Sequence, residues 1–179
     1  MTGIKPLDYK ILAELLRDSK VSDRSLARKL GKSQPTITRR RSRLEHSLIE
    51  GYTIMPRLEE MGFEIIALTF ISGKRDQLGR GKFEEAQEKA KKWHDAHPNV
   101  IFASSGHGMG WTGVVVSLHT SYSDYVKFKA EHDAEFSEYL ADTESFLMDL
   151  NPKTTLKSFH VKYLADVEFP QESLSKSAP

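Results

Sequence analysis

The chain has 179 residues, of which 39% are hydrophobic and 28% charged, and it has no cysteine. That fits a globular chain of one domain or two small ones, and it excludes disulfides, zinc ribbons and thiol catalysis. The net charge of +1 argues at first against a nucleic-acid binder, but residues 1–57 carry +7 and residues 58–179 carry −6. A basic head on an acidic body points to polyanion binding, with chance clustering of surface charge as the plain alternative.

Pro6 opens the first predicted element. Leu7, Ile11, Leu12, Leu15 and Leu16 recur at helical spacing up to Asp18, which predicts an amphipathic helix. Ser22 suits an N-cap for a short second helix built on Leu26, Ala27 and Leu30. Gly31 ends that helix as a C′ glycine should. Ser33 is expected to cap a third helix, with Pro35 in its first turn, running to about Leu48. The second and third helices make a helix-turn-helix.

At ~100° per residue, Thr36, Arg39, Arg40 and Arg43 share one arc of the third helix, and Ile37, Leu44 and Leu48 share another. The apolar arc is expected to pack on the first helix and the basic arc to face outward. Arginine suits that place because its fork matches guanine O6 and N7 or phosphate oxygens. The start of the helix offers free N–H groups to a phosphate near Ser33 and Gln34. Candidate DNA contacts are therefore Ser33, Gln34, Thr36, Thr38, Arg39, Arg40 and Arg43. The bland alternative is a solvated basic face.

After Ile49, Gly51 gives a turn and Tyr52–Ile54 an extended segment, read as a wing or hinge strand. Pro56 to Gly62 reads as a linker. Ile65–Ile71 is a β-rich apolar run, followed by a polar loop from Gly73 to Gly81. Phe83, Ala86, Ala90, Trp93 and His97 keep helical spacing until Pro98. Val100–Ala103 and Trp111–His119 read as strands around the glycine-rich turn Gly106–Gly110. Tyr122 to Tyr139 traces another helix, and Glu144–Leu150 and Leu156–Tyr163 are further extended runs around Asn151-Pro152. The order is βαββαβ with an extra strand, an α+β body.

In the first body strand, Ile66, Leu68 and Phe70 point one way and Ile65, Ala67 and Ile71 the other, so both faces are apolar. Two helices cover only one face of an open sheet. The other is expected to meet a second copy, giving a homodimer; coverage by the head or the tail is the alternative.

Leu7-Asp8-Tyr9-Lys10-Ile11-Leu12, Ser33-Gln34-Pro35-Thr36-Ile37-Thr38-Arg39-Arg40, Arg43-Leu44-Glu45 and Ile49-Glu50-Gly51-Tyr52 occur in an order and spacing that resembles the Lrp/AsnC family of prokaryotic transcription regulators. The resemblance is close over residues 7–62 and looser from Phe63 to about Ala165. It implies a winged helix-turn-helix domain over 1–57, a hinge over 58–63 and a ferredoxin-like, RAM/ACT-like domain over 64–168; the tail over 169–179, holding Pro, Ser, Glu and Lys with little apolar content, reads as flexible or loosely docked. It also implies double-stranded DNA as partner, and dimers that assemble further, to tetramers or octamers.

A phosphate-binding reading of Gly106-His107-Gly108-Met109-Gly110 fails, since a P-loop needs Gly-Lys-Ser/Thr opening a helix and Trp111 opens a strand. A plain glycine hairpin is one reading. The family resemblance implies another, a border of an amino-acid effector pocket, with Gly106, His107, Met109, Trp111 and Thr112 as candidates. Family members typically carry Gly-x-x-Asp here, and this turn has no Asp, so either the ligand differs or there is none.

His94 and His97 are read as charges near a helix end rather than metal ligands. No nucleophile–base pair, carboxylate dyad or cofactor loop stands out, so neither an enzyme nor a bound cofactor is expected. No stretch approaches the ~20 apolar residues of a membrane span, and Met1–Asp8 has no apolar core for a secretory signal. The expected location is the cytoplasm, on the nucleoid. The competing reading is a small-molecule sensing module whose basic head makes protein contacts.

Overall fold

Pro6 takes the first position of helix α1 (Pro6–Arg17), where its missing N–H costs nothing, and Asp8 closes a capping box by accepting from Lys5 N at 3.1 Å. Ser22 caps α2 (Asp23–Leu30) by accepting from Ser25 N at 3.2 Å. Gly31 ends α2 at φ 63, a left-handed value that suits glycine. Helix α3 (Gln34–Ser47) follows, with Ser33 at its N-cap position. The computed structural model describes residues 4–74, 80–151 and 153–167. The expected flexible tail, 169–179, lies outside them, as does most of the loop expected between Gly73 and Gly81.

Ile11, Leu15, Leu26, Ala27, Ile37 and Leu44 form one buried cluster, with Leu7, Val21, Leu30 and Ile49 against it. These are the apolar arcs of the three helices, so the spacing argument places the core correctly. Residues 50–57 form no strand. The extended segment Tyr52–Ile54 is unpaired, because the described residues of this unit contain no strand for it to join.

Among the described residues, contacts group 4–55 with 158–167, and 56–157 form a second unit. The body was expected to run to 168, so residues 158–167 change sides. The run Leu156–Tyr163, expected to be extended, is not a strand either. Val161–Asp166 is a short 3-10 helix. One cause is local and one distant. Asn151 O accepts from Thr154 N and Thr155 N in a turn, and Arg17 donates to Asp166 Oδ1 at 2.5 Å and to Ala165 O at 3.3 Å.

The second unit is a four-stranded antiparallel sheet of β1 (Ile65–Gly73), β2 (Val100–Gly108), β3 (Trp111–His119) and β4 (Leu140–Asp149). Their order across the sheet is β2-β3-β1-β4. Helix α4 (Arg80–Asp95) precedes β2, and α5 (Tyr122–Glu135) lies between β3 and β4. The βαββαβ order and ferredoxin-like topology follow. Three bounds move. Strand β2 continues through Gly108, since Ser104, Ser105 and Gly108 pair with Val114, Gly113 and Trp111. Helix α5 stops before Phe136, whose carbonyl takes Tyr139 N and Leu140 N. That turn lets β4 begin at Leu140.

The register puts Ala67, Thr69, Val115, Ser117 and His119 on the face that the helices cover, all of them buried. The opposite face carries Ile66, Leu68, Phe70, Val114, Val116 and Met148. It also exposes Phe102 at 54% and Phe146 at 61%. Among the described residues no helix is long and apolar enough to cross a membrane.

Candidate nucleic-acid interface

The buried side of α3 is fixed by Ile37 and Leu44, both almost without exposure. This leaves the arc with Thr36, Arg39, Arg40 and Arg43 turned from the core. The first-turn N–H groups of a helix have no intrahelical partner. Here Ser33 makes no side-chain cap; its hydroxyl pairs instead with Thr36 Oγ1 at 2.8 Å. The end of the helix therefore keeps donors for an anion, beside exposed Lys32 and Gln34.

The four arginines of α3 divide into different environments. Arg39 is exposed and has no hydrogen bond or ion pair among the described residues. Arg40 Nη1 donates to Asp8 Oδ1 at 2.8 Å, and Arg43 Nη2 donates to Asp8 Oδ2. Asp8 is fully buried, whereas the Arg40 and Arg43 side chains keep 22% and 47% exposure. Both guanidiniums are thus anchored by one edge and retain donors on the other.

Arg41 turns the other way. It donates to Glu45 Oε1 at 3.0 Å, to Asp23 Oδ1 at 3.2 Å and to Val21 O at 2.9 Å. Burial pulls its pKa down, but the bonds to Glu45, Tyr52 and Asp23 outweigh this and leave it raised. Tyr52 donates to Glu45 Oε1 at 2.8 Å, and this bond and Arg41 hold Glu45 below the usual carboxylate range. Thr38 donates to Asp23 Oδ2 at 2.6 Å.

Of the seven residues proposed from the sequence, Ser33, Gln34, Thr36 and Arg39 therefore stand together and accessible. Arg40 and Arg43 adjoin them in an anchored form. Thr38 is engaged on another side by α2. Sequence reasoning missed Asp8, whose partners lie 32 and 35 residues away. A lone carboxylate at the start of an apolar helix is its only signal.

The residues proposed for an effector also separate. Strand pairing joins Gly108 to Trp111, so the turn is only Met109-Gly110, both at positive φ (52 and 83). Two positive φ values make the tight turn that suits right-twisted hairpins, normally with Asn or Gly at the first position. Met109 stands 83% exposed there. Gly106, His107 and Thr112 border a cavity of about 670 Å³ between α4 and the sheet, whereas Met109 and Trp111 do not. Trp111 packs near Phe70, with ring centroids 6.1 Å apart.

The histidines near α4 and α5 are mostly packed. His97 stacks on Trp93 with centroids 3.6 Å apart and bonds Trp93 O at 2.6 Å. His119 is fully buried and bonds Ser117 Oγ at 2.8 Å. Burial pushes the pKa of His94, His119 and His132 down, against partial compensation from Asp95, Asp124 and Asp133 respectively. Among the described residues no group of three or more His, Cys, Asp or Glu is placed to hold a metal ion.

This chain is similar to known proteins at both levels. An AsnC-type helix-turn-helix domain model matches residues 6–45. The chain is 31% identical over 102 residues to the HTH-type transcriptional regulator LrpA of Pyrococcus horikoshii, covering 56% of this chain and 67% of that protein. It is 38% identical over 76 residues to an HTH-type transcriptional regulator of Pyrococcus furiosus, covering 42% of this chain and 51% of that one. With that relative and one from Pyrococcus abyssi, the chain spans about half the length of the relative it matches.

Among solved structures, an AsnC family transcriptional regulator from Agrobacterium tumefaciens matches with a TM-score of 0.73 at 17% identity, over 95% of this chain and 99% of that chain. A transcriptional regulator from Neisseria meningitidis, solved as a complex with L-Met, matches with a TM-score of 0.70 at 17% identity, over 89% and 98%. These likenesses carry the fold.

Proposed function

Because the chain belongs to the Lrp/AsnC family of transcription regulators, we propose that it is a sequence-specific DNA-binding regulator that meets operator half-sites as a dimer. The observation that carries this reading is the outer face of α3. Arg39 has no hydrogen bond or ion pair among the described residues, and Ser33, Gln34 and Thr36 surround the open helix start. Arg39 and Gln34 have the chemistry to read base edges, guanine and adenine respectively. Arg40 and Arg43, held by Asp8, direct their remaining N–H groups to phosphates, which sets register rather than sequence.

The dimer forms through the sheet face that carries Leu68, Phe70, Phe102 and Phe146, which none of the described helices covers. A two-fold dimer places its recognition helices on half-sites about 34–36 Å apart, or a multiple of that. Dimers of this kind assemble further in the family. The protein works in the cytoplasm on the nucleoid, without catalysis, and a small molecule modulates it. The Neisseria meningitidis regulator solved with L-Met supports the last point.

Titration of duplex DNA across a salt series tests the reading. Neutralising about six phosphates gives a slope of log K against log salt near about −5. Absent or salt-independent binding would favour a ligand-sensing module whose basic head contacts protein.

A further inference from the structure

Helix α1 is apolar on more than its core side. Ile11 and Leu15 belong to the core. At ~100° per residue, Tyr9, Leu12, Ala13 and Leu16 share a second arc of ~100°, with Arg17 at its edge. These four side chains are all half-buried. Residues 161–166 pack along α1. Within that segment Tyr163 and Ala165 are half-buried, and Arg17 donates to Asp166 Oδ1 at 2.5 Å and to Ala165 O at 3.3 Å. An exposed ion pair holds little alone, so the apolar arc contributes most of the attachment.

The chain therefore passes between head and body twice, after residue 55 and after residue 157. Both passages are short. On the head side of the first, Tyr52 donates to Glu45 Oε1 at 2.8 Å; on the body side, Leu58 O accepts from Phe63 N at 3.1 Å. Only Thr53–Arg57 lie between, in no helix or strand. In the second passage, Leu150 N donates to Glu64 O at 2.9 Å and Asn151 O accepts from Thr154 N and Thr155 N, which fixes that turn to the body. His160 Nδ1 accepts from Lys162 N at 3.0 Å and opens the segment on α1. Leu156–Phe159 alone separate the two. The five steps from Thr155 to His160, each at most ~3.6 Å, span no more than ~18 Å.

Two units joined by one flexible link turn about every axis at that link. Two short links, attached at α1 and beyond α3, leave mainly rotation about the line through the attachment points. We propose that residues 160–166 are a strap that restrains the head about its hinge and so narrows the half-site spacings that the dimer accepts. The inference deepens the reading of a dimeric DNA-binding regulator, and rests on it. A dimer whose heads swing less offers fewer separations between its two recognition helices. Tyr163 and Asp166 are then positioning residues for spacing specificity. They act through the placing of α3 and touch no DNA themselves.

The test uses the full chain as parent and as two variants. Tyr163→Ser with Asp166→Ala removes the half-buried ring and the carboxylate that Arg17 holds. Ala13→Glu puts a charge into the second arc from the α1 side. Nitroxide labels at Arg28→Cys and Lys127→Cys, both exposed, are unique because the chain has no cysteine. Diluted with unlabelled chain, the labelled variants are expected to give a distance distribution at least about twofold broader than the parent. On duplexes whose two half-sites are moved apart base pair by base pair, the parent is expected to lose at least about tenfold in affinity half a turn from its best spacing, and the variants less than about threefold. Affinity for a single half-site is expected to stay unchanged, which a head that had merely lost stability would not show. Equal distance widths overturn the proposal, and so does an unchanged spacing profile. Equal loss on one half-site and on every spacing also overturns it, and makes residues 160–166 part of the head's core only. If one variant fails to fold, the other carries both comparisons. A parent that binds no duplex removes the regulator reading and the effect on spacing with it, whereas the distance widths still decide whether the strap holds.

Discussion

Arg40 Nη1 donates to Asp8 Oδ1 at 2.8 Å, joining α3 to α1 through a carboxylate that has no solvent exposure. Arg43 takes the other oxygen, and Lys5 N also bonds to the group. Four α3 arginines thus have three different tasks, although they sit within five positions of sequence. Arg40 and Arg43 are braced, Arg41 ties α3 to α2, and Arg39 has no polar partner among the described residues.

Removing the brace leaves two guanidiniums without their anion. Breaking a buried pair costs about 3–5 kcal/mol, and the exposure of Arg40 and Arg43 places Asp8→Asn near the lower end. Urea denaturation checks this. A loss below about 1 kcal/mol would mean that solvent already replaces the carboxylate.

Arg39→Ala is expected to leave stability within about 0.5 kcal/mol, since the side chain is exposed and has no hydrogen bond or ion pair among the described residues. Its effect on binding to a selected operator is expected at about 1–3 kcal/mol, with a smaller loss on random duplex. Equal losses on both would assign Arg39 to phosphate.

Phe146 is 61% exposed on the uncovered sheet face. Phe146→Lys therefore spares folding and puts a charge into the proposed dimer contact. Sedimentation is expected to show the variant as a species of 20.3 kDa at concentrations where the parent is at least twice that. A variant that sediments like the parent would move the dimer contact elsewhere.

Three imidazoles, His119 and His132 buried and His94 half-buried, set a pH dependence. His94, His119 and His132 all have folded pKa values below the ordinary 6.5, so the unfolded chain binds more protons in the interval beneath 6.5. Stability then rises with pH through that interval, and it is lost as pH falls below about 6.5. Around them, Asp95, Asp124 and Asp133 favour protonation, while His97 and Lys129 oppose it. Melting temperatures measured from pH 7.5 down to 5.5 should decline, and less steeply in His132→Phe. A flat profile would show that these rings titrate as free imidazole.

Met109 at φ 52 occupies a conformation that favours Asn or Gly. Met109→Asn is expected to stabilise the hairpin by up to about 1 kcal/mol, part of the left-handed cost that a short polar side chain eases, readable as a raised melting temperature. An unchanged or lowered value would mean that the exposed thioether makes a stabilising contact in the assembled protein.

The three head helices were legible because their apolar arcs and the caps Ser22 and Gly31 agree with one another. The first and third body strands were legible because Ile65–Ile71 and Trp111–His119 are continuous β-rich runs. The far half of β2 was hidden. Ser104, Ser105 and Gly106 have little strand preference, and only pairing with Val114 and Gly113 extends them. The same pairing explains Gly113, where a Cβ would lie 3.2 Å from Ser104 O. The arc of α3 was readable from helical geometry. What occupied its arginines was not, because Asp8 and Asp23 lie on other helices. Likewise, nothing in the local pattern of Leu156–Tyr163 reports that Arg17 waits for Asp166.

That last bond has a consequence for biosynthesis. Arg17 and Asp166 are 149 positions apart, and the whole sheet unit is encoded between them. A ribosome exposes the three head helices early, but it cannot deliver the segment that lies along α1 until the sheet has been translated. During that interval the α1 surface awaiting residues 161–166 stands open on the nascent chain. The head helices, made before the sheet, are therefore completed only after it.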